Sequence, residues 1–207
     1  MTTLLIITGP QGSGNHLFSK IFAEHPDVNG WAALKDNYWA GHDQEPFADM
    51  WRNPELVKIY PWHTSQYHVT SISCPYRDNG EDTWPAYQQF ISAVRDAGVE
   101  VKLAIIGRDQ NILVYQEHRL RGRITYTEFL DRLPDLMQYN PLFLSQELAY
   151  LYKEDYLKQL SAMLDFPIKY NGSILANDAN AKYMRSIDSS WLDPLIKQAS
   201  SKHTNDK

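Results

Sequence analysis

The sequence predicts a three-layer α/β fold around a mainly parallel central sheet, and three observations carry that expectation. Short apolar runs of strand type alternate with longer segments of helical period, the pattern of consecutive βαβ units. The first run, LLIIT, leads straight into a glycine-rich stretch and then a helical pattern, GPQGSGNHLFSKIFA. A chain of 207 residues, 43% of them apolar, suits one compact core.

Four strands are expected, in LLIIT (4–8), YHVTSISC (67–74), VKLAII (101–106) and PLFLS (141–145). Helices are expected between and after them, over 15–23, 84–97, 111–120, 126–137 and 150–164, with Gly98 as the C-terminal stop of the second. Right-handed crossovers would connect the strands. Residues 30–66 carry Trp31, Trp39, Trp51 and Trp62, several prolines and no clear period. They read as an aromatic-rich insertion over the carboxyl edge of the sheet, where ligand crevices of such folds lie. One domain is expected over 1–199, and the polar residues 200–207 read as a flexible tail.

A formal net charge of -5 argues against sequence-independent nucleic-acid binding, which needs a basic surface to displace phosphate counterions. Any anion site must then be local. The single cysteine, Cys74, excludes an internal disulfide framework. The run at 4–8 is too short for a membrane span or a signal-peptide core. No membrane association is expected, and the cytoplasm fits best.

Gly9, Gly12 and Gly14 surround Pro10, Gln11 and Ser13, and a helical pattern starts at Asn15. Glycines permit positive φ and close backbone approach, while free N–H groups and the helix dipole favour a phosphate at the helix N-terminus. A plain glycine-rich turn is the alternative. The P-loop pattern G-x-x-x-x-G-K-[ST] is met only through Gly9 and Gly14, because Asn15 stands for the lysine and His16 for the Mg²⁺-holding hydroxyl. An ATP- or GTP-dependent kinase-like enzyme would lack both its phosphate cation and its metal anchor. No bound metal is expected.

Further matches share this P-loop-type frame. GPQGSGNHL sets Pro10, Gln11, Ser13, Gly14 and Leu17 in register with a P-[KR]-[ST]-G-[ST]-[ST]-x-L loop, and EHPDV at 24–28 matches an H-P-x-[VI] helix ending. RDQNILVYQ is similar to R-[ND]-P-x-D-x-x-x-S, with Arg108 at a strand end and Gln116 at the serine position. PLFLSQEL is similar to L-x-[YS]-E-[DE]-L. Over 4–28, 101–120 and 141–168 the chain thus resembles sulfotransferases that use 3′-phosphoadenosine 5′-phosphosulfate (PAPS), bacterial and heparan-type members in particular.

The resemblance implies a sulfotransferase-like fold and transfer of a sulfuryl group from PAPS to a hydroxyl or amine of a small-molecule or carbohydrate-like acceptor. It implies that Pro10, Gln11, Gly12, Ser13, Gly14, Asn15, His16 and Leu17 cradle the 5′-phosphosulfate. Arg108 and Gln116 would hold the 3′-phosphate, an arginine fork being suited to a dianion. Lys182 and Tyr183, with Arg185 beyond them, fall where a late loop of the family closes over the nucleotide.

The departures bear on mechanism. Gly12 occupies the place of the loop's basic residue, so the leaving-group cation is missing, a loss worth several kcal/mol of barrier. His16 at the helix start, or Lys35 in the insertion, is the expected substitute. Asp36 is the expected base, with His42, His63 and His68 in reserve, and Arg77 could anchor an anionic acceptor. Aromatic residues of the insertion could line an acceptor cleft, while Cys74 reads as a buried strand residue. A catalytically inactive module that only binds adenosine 3′,5′-bisphosphate (PAP) is the other reading that Gly12 leaves open.

Overall fold

The computed structural model describes residues 1–37, 40–78, 81–122 and 124–184. In chain order it contains β1 (Thr3–Pro10), α1 (Asn15–Ala23), β2 (Val28–Asn29), α2 (Ala33–Asp36) and α3 (Ala48–Arg52). There follow β3 (Tyr67–Cys74), β4 (Tyr76–Asp78), β5 (Glu81–Thr83), α4 (Tyr87–Asp96) and β6 (Glu100–Gly107). The remaining elements are α5 (Gln110–Arg121), α6 (Tyr126–Met137), β7 (Leu142–Ser145), α7 (Gln146–Leu164) and α8 (Ala181–Met184).

Alternation along the central strands builds the layers. Leu5 and Ile7 of β1 and Ala104 and Ile106 of β6 enter one core with Phe18, Ile21 and Phe22 of α1 and Leu157 and Leu160 of α7. Leu4 and Ile6, with Leu103 and Ile105, enter a second core with Phe90, Ile91 and Val94 of α4 and Phe129 and Leu136 of α6. Successive side chains of a strand point to opposite faces, so β1 and β6 are apolar on both and are covered by helices on both. Each fully buried leucine, isoleucine or phenylalanine contributes roughly 1.5–3 kcal/mol.

The central sheet runs β2-β3-β1-β6-β7, and all of its pairings are parallel. The chain leaves β1 toward β2 and β3 on one side and later crosses to β6 and β7 on the other. β1 therefore lies at the topological switch point, and the crevice beyond its carboxyl end is the predicted ligand position. The three-layer α/β expectation holds. No described helix is long and apolar enough to cross a membrane.

Several boundaries differ from expectation. β2 and the hairpin β4–β5, paired antiparallel as Tyr76↔Thr83, are too short to leave a period in the sequence. The second long helix starts at Tyr87 rather than 84, since Pro85 biases the residue before it to extended backbone. α7 starts at Gln146, capped by the Ser145 hydroxyl accepting from Leu148 N–H at 3.2 Å, and it breaks at Lys153 (φ 46, ψ -116). The chain divides into two compact units, Met1–Asn177 and Asp178–Lys207. In the second unit, α8 follows Asp178, whose carboxylate accepts from Asn180 N–H at 2.7 Å.

The segment 30–66 contributes to the core as well as to the edge of the sheet. Much of it is core: Phe47 is fully buried, and Trp51 stacks on Phe90 at 3.9 Å between ring centroids while its Nε1 donates to Thr70 Oγ1 at 2.9 Å. Ordinary packing is the favoured expectation for any one tryptophan of the segment, and it is what Trp51 does: with Phe47 and with Val57 of the 3₁₀ turn Pro54–Ile59 it completes the layer beside α4, while Trp31 is buried with Leu34 and Ala40. Trp39 lies outside the described residues. Trp51→Ala should lower stability by about 3–5 kcal/mol in denaturant unfolding.

Candidate functional site

The turn between β1 and α1 has little spare volume. A Cβ on Gly9 would lie 2.6 Å from Ser13 Oγ and 2.8 Å from the Ile106 carbonyl oxygen. Gly12 (φ 84) and Gly14 (φ 117) take left-handed backbone that other residues rarely adopt. Ser13 N–H donates to the Pro10 carbonyl at 3.1 Å, and the first helical bond runs from Phe18 N–H to Gly14 O at 3.0 Å. Gly14 supplies no side-chain cap. The N–H groups of Asn15, His16 and Leu17 thus have no acceptor within the helix, as at an anion-binding helix start.

Three glutamines close around this turn. Gln11 is buried, and its Nε2 donates to the Pro75 carbonyl. Gln146, at the start of α7, would meet a Cβ on Gly14 at 3.1 Å. Gln116 would meet one on Gly12 at 3.1 Å. Arg108 joins loop and helix, its Nη1 donating to Gly12 O at 2.5 Å and to Gln116 Oε1 at 2.6 Å. This geometry has a local origin. β6 ends at Gly107, and Asp109 caps α5 by accepting from Asn111 and Ile112 N–H at 2.9 and 3.1 Å. About two helical turns then carry Gln116 back above Arg108.

The residues at the P-loop lysine and hydroxyl positions turn away from that role. Asn15 is buried and its Nδ2 donates to Ser73 Oγ at 2.6 Å, tying the start of α1 to β3. His16 lies against Trp31 and His42, at 4.8 and 5.4 Å between centroids, with Nε2 3.1 Å from the Ala40 carbonyl. Burial lowers the His16 pKa and, with His16 beside it, pushes His42 down to about 4. The expected imidazolium at the helix start is therefore a neutral ring at pH 7. Pro10 ends β1 in buried surroundings, and Leu17 packs on the first core.

The other expected residues scatter. Lys35 and Asp36 sit exposed on α2. His63 is exposed, while His68 is fully buried, and its Nε2 lies 3.0 Å from Ser65 O and 3.1 Å from Trp62 O, which makes it a structural donor. Cys74 contacts the hydroxyls of Tyr87 (2.6 Å) and Thr8 (3.3 Å), and burial pushes its thiol up to about 12. Tyr183 is buried in the second unit. The side chains of Arg77 and Lys182, and all of Arg185, lie outside the described residues.

A pocket of about 140 Å³ opens beside the loop at the carboxyl end of β3, and its walls include Gln11, Glu45, Arg52, Ser71, Ser73 and Tyr76. Glu45 was missed by sequence reasoning. It precedes the buried Phe47, and its Oε2 accepts from Phe47 N–H at 2.8 Å. Burial pushes its carboxyl up to about 8, an effect moderated by the Thr70 hydroxyl and by the N–H groups of Phe47 and Ser71. One signal was available: buried parallel strands read as continuous apolar runs, whereas THE β3 segment YHVTSISC interleaves serines with its apolar residues. Among the described residues no group of three or more His, Cys, Asp or Glu side chains is gathered to hold a metal ion.

No family model and no curated protein matches the chain. Among solved structures it is similar to the Deinococcus radiodurans tunicamycin resistance protein, with a TM-score of 0.49 and 14% identity over 83% of this chain and 100% of that one. It is also similar to a protein designated APE1195, with a TM-score of 0.37 and 16% identity over 79% of this chain and 93% of that one. Likenesses at this level say nothing of activity.

The Glu45 carboxyl gives this site a pH signature. Its folded pKa of about 8 lies above the ordinary 4.5, so the native state keeps a proton that the unfolded chain releases. Stability should then fall as pH rises from about 4.5 to about 8. Glu45→Gln should remove that slope, matching the parent near pH 4 and exceeding it by on the order of a few kcal/mol at pH 8. Thermal unfolding across this range tests it; parallel curves for parent and variant would contradict it.

Proposed function

We propose that the protein is a PAPS-dependent sulfotransferase-like protein, with the nucleotide at the switch-point crevice. The observation that carries this reading is the meeting of Arg108 and Gln116 on the glycine loop, with Nη1 2.5 Å from Gly12 O and 2.6 Å from Gln116 Oε1. Those two residues stand eight apart in the sequence, at the spacing the resemblance requires of a 3′-phosphate clasp. The cradle suits a second phosphate, because left-handed glycines and an uncapped helix start offer backbone donors.

Bound PAPS would supply the activated sulfuryl group; the chain's own part is to hold and orient it. Backbone N–H groups at the start of α1, from Asn15 to Leu17, would face the 5′-phosphosulfate, and Arg108 the 3′-phosphate. A phosphate oxygen is a stronger acceptor than a carboxamide, so it would compete with Gln116 for the same guanidinium donors. On the acceptor side, Glu45 replaces the exposed Asp36 as the group positioned to take a proton, because it lines the pocket beside Gln11 and its carboxyl is tuned toward neutral pH.

A second reading has its own support. Gly12, the position of the absent cation, is left-handed and overlain by Gln116, so a side chain there is strained by about 1–2 kcal/mol besides the crowding. A protein that binds PAP without turning over would keep this geometry. The ATP or GTP alternative is disfavoured by Asn15 and His16, both engaged elsewhere.

Calorimetric titration tests the reading. PAP should bind more tightly than ATP with or without Mg²⁺, and Arg108→Ala should weaken PAP by at least tenfold, the loss of charge-assisted hydrogen bonds. Mg²⁺-dependent ATP binding with no response to PAP would overturn it. Sulfation of acceptors by the parent protein would separate enzyme from binding module.

A further inference from the structure

Asn171 ties the segment that follows α7 to the end of α1. Its Nδ2 donates to Glu24 Oε2 at 3.2 Å. Its Oδ1 accepts twice from Ser173, from the backbone N–H at 3.1 Å and from the hydroxyl at 2.8 Å. A backbone N–H can only donate and an ionised carboxylate can only accept, so the two ends of the carboxamide are distinguished. The Asn171 carbonyl also accepts from Ile174 N–H at 3.1 Å, which closes the chain into a tight turn. Leu175, just beyond, is 1% exposed and belongs to the first core, with Tyr170 and Ile174 packed against it.

The residue inside that turn is Gly172. It is exposed, and its N–H donates to no group among the described residues. A backbone nitrogen with neither a side chain beside it nor a hydrogen bond on it is free to attack the preceding carboxamide carbon. The ring closed by the bond from Ser173 N–H to Oδ1 contains both reacting atoms, Asn171 Cγ and Gly172 N, so one turn carries them together. Negative charge develops on Oδ1 as the nitrogen attacks. Two donors already stand on that atom, which is the arrangement of an oxyanion hole.

We propose that Asn171 is a self-modifying site, at which the fold promotes succinimide formation and deamidation. Gly172 N loses its proton to solvent hydroxide and bonds to Asn171 Cγ. The Cγ–Nδ2 bond breaks, and Nδ2 leaves as ammonia with a proton taken from water, which restores the hydroxide. A second water opens the succinimide, giving aspartate where the Cγ–N bond is cut and isoaspartate where the backbone C–N bond is cut. The net change is one water consumed and one ammonia released. Aspartate at this place sets a second carboxylate beside Glu24, so a donor–acceptor pair becomes a like-charge pair and the tie to α1 is lost.

The chain supplies its own control. Asn-Gly also occurs at Asn29–Gly30 and at 79–80, of which the latter lies outside the described residues. Asn29 is held extended in β2, paired with His68, and its Nδ2 donates to Tyr60 at 2.8 Å. Gly30 is buried, and a Cβ there would lie 2.5 Å from Val69 Cγ1. Extended backbone in close packing leaves no room for ring closure.

Incubation of the intact protein in H₂¹⁸O at pH 8, beside the same protein in urea, tests the proposal by peptide mass mapping, because each aspartate or isoaspartate formed carries the heavy oxygen. Asn171 should convert at least about threefold faster in the native protein than in urea, and Asn29 only in urea. Ser173→Ala removes one of the two donors and should slow native conversion about tenfold while leaving the rate in urea unchanged. Ser173→Thr keeps the hydroxyl and should retain the parent rate, which reads the donor's part even if the alanine variant does not fold. Asn171→Asp should melt below the parent at pH 8, and Glu24→Gln added to it should recover most of the loss. A native rate at or below that in urea would overturn the proposal, as would a native rate unchanged in folded Ser173→Ala. Nucleotide binding enters none of these measurements, so the outcome is independent of the sulfotransferase reading.

Discussion

The architecture of the site depends on one steric constraint: the turn from β1 into α1 is pressed between β6, α5 and α7. Gly9 has no room for a Cβ against Ser13 and the Ile106 carbonyl, while Gln116 and Gln146 lie over Gly12 and Gly14. Close packing of this kind fixes the backbone path, and a fixed path fixes where the first N–H groups of α1 point. The same contact draws Arg108 onto the Gly12 carbonyl. The loop's geometry is thus a by-product of packing.

That constraint also explains why the departures from the P-loop pattern are mutually consistent. A lysine at position 15 would have to leave a buried place where Asn15 instead ties α1 to Ser73. A basic side chain at position 12 would need left-handed backbone and the space of Gln116. His16 is turned to Trp31 and Ala40, where burial keeps it neutral. Arg108 is the cationic side chain that the structure joins to the loop.

Elements with a strong period were legible in the sequence: β3 and α6 match their expected bounds, and α1 begins and ends where its pattern does. Arg108 and Gln116 were singled out through a resemblance, and their contact has a local origin in one strand end and two helical turns. Glu45 was not. Its character comes from a local turn to the Phe47 N–H together with burial beside Thr70 and Ser71 of β3, contacts across a long sequence separation that no motif encodes. The partner of Trp51 was equally illegible, since it packs against Phe90 of α4, far along the chain.

A crystal structure with PAP bound tests the central claim most directly. The expected result is a 5′-phosphate on the backbone N–H groups of Asn15 to Leu17 and a 3′-phosphate within hydrogen-bonding distance of Arg108. Gln116 should have moved from its present contact with that guanidinium. A nucleotide bound elsewhere, or a loop left empty at saturating PAP with Arg108 still on Gly12, would contradict it.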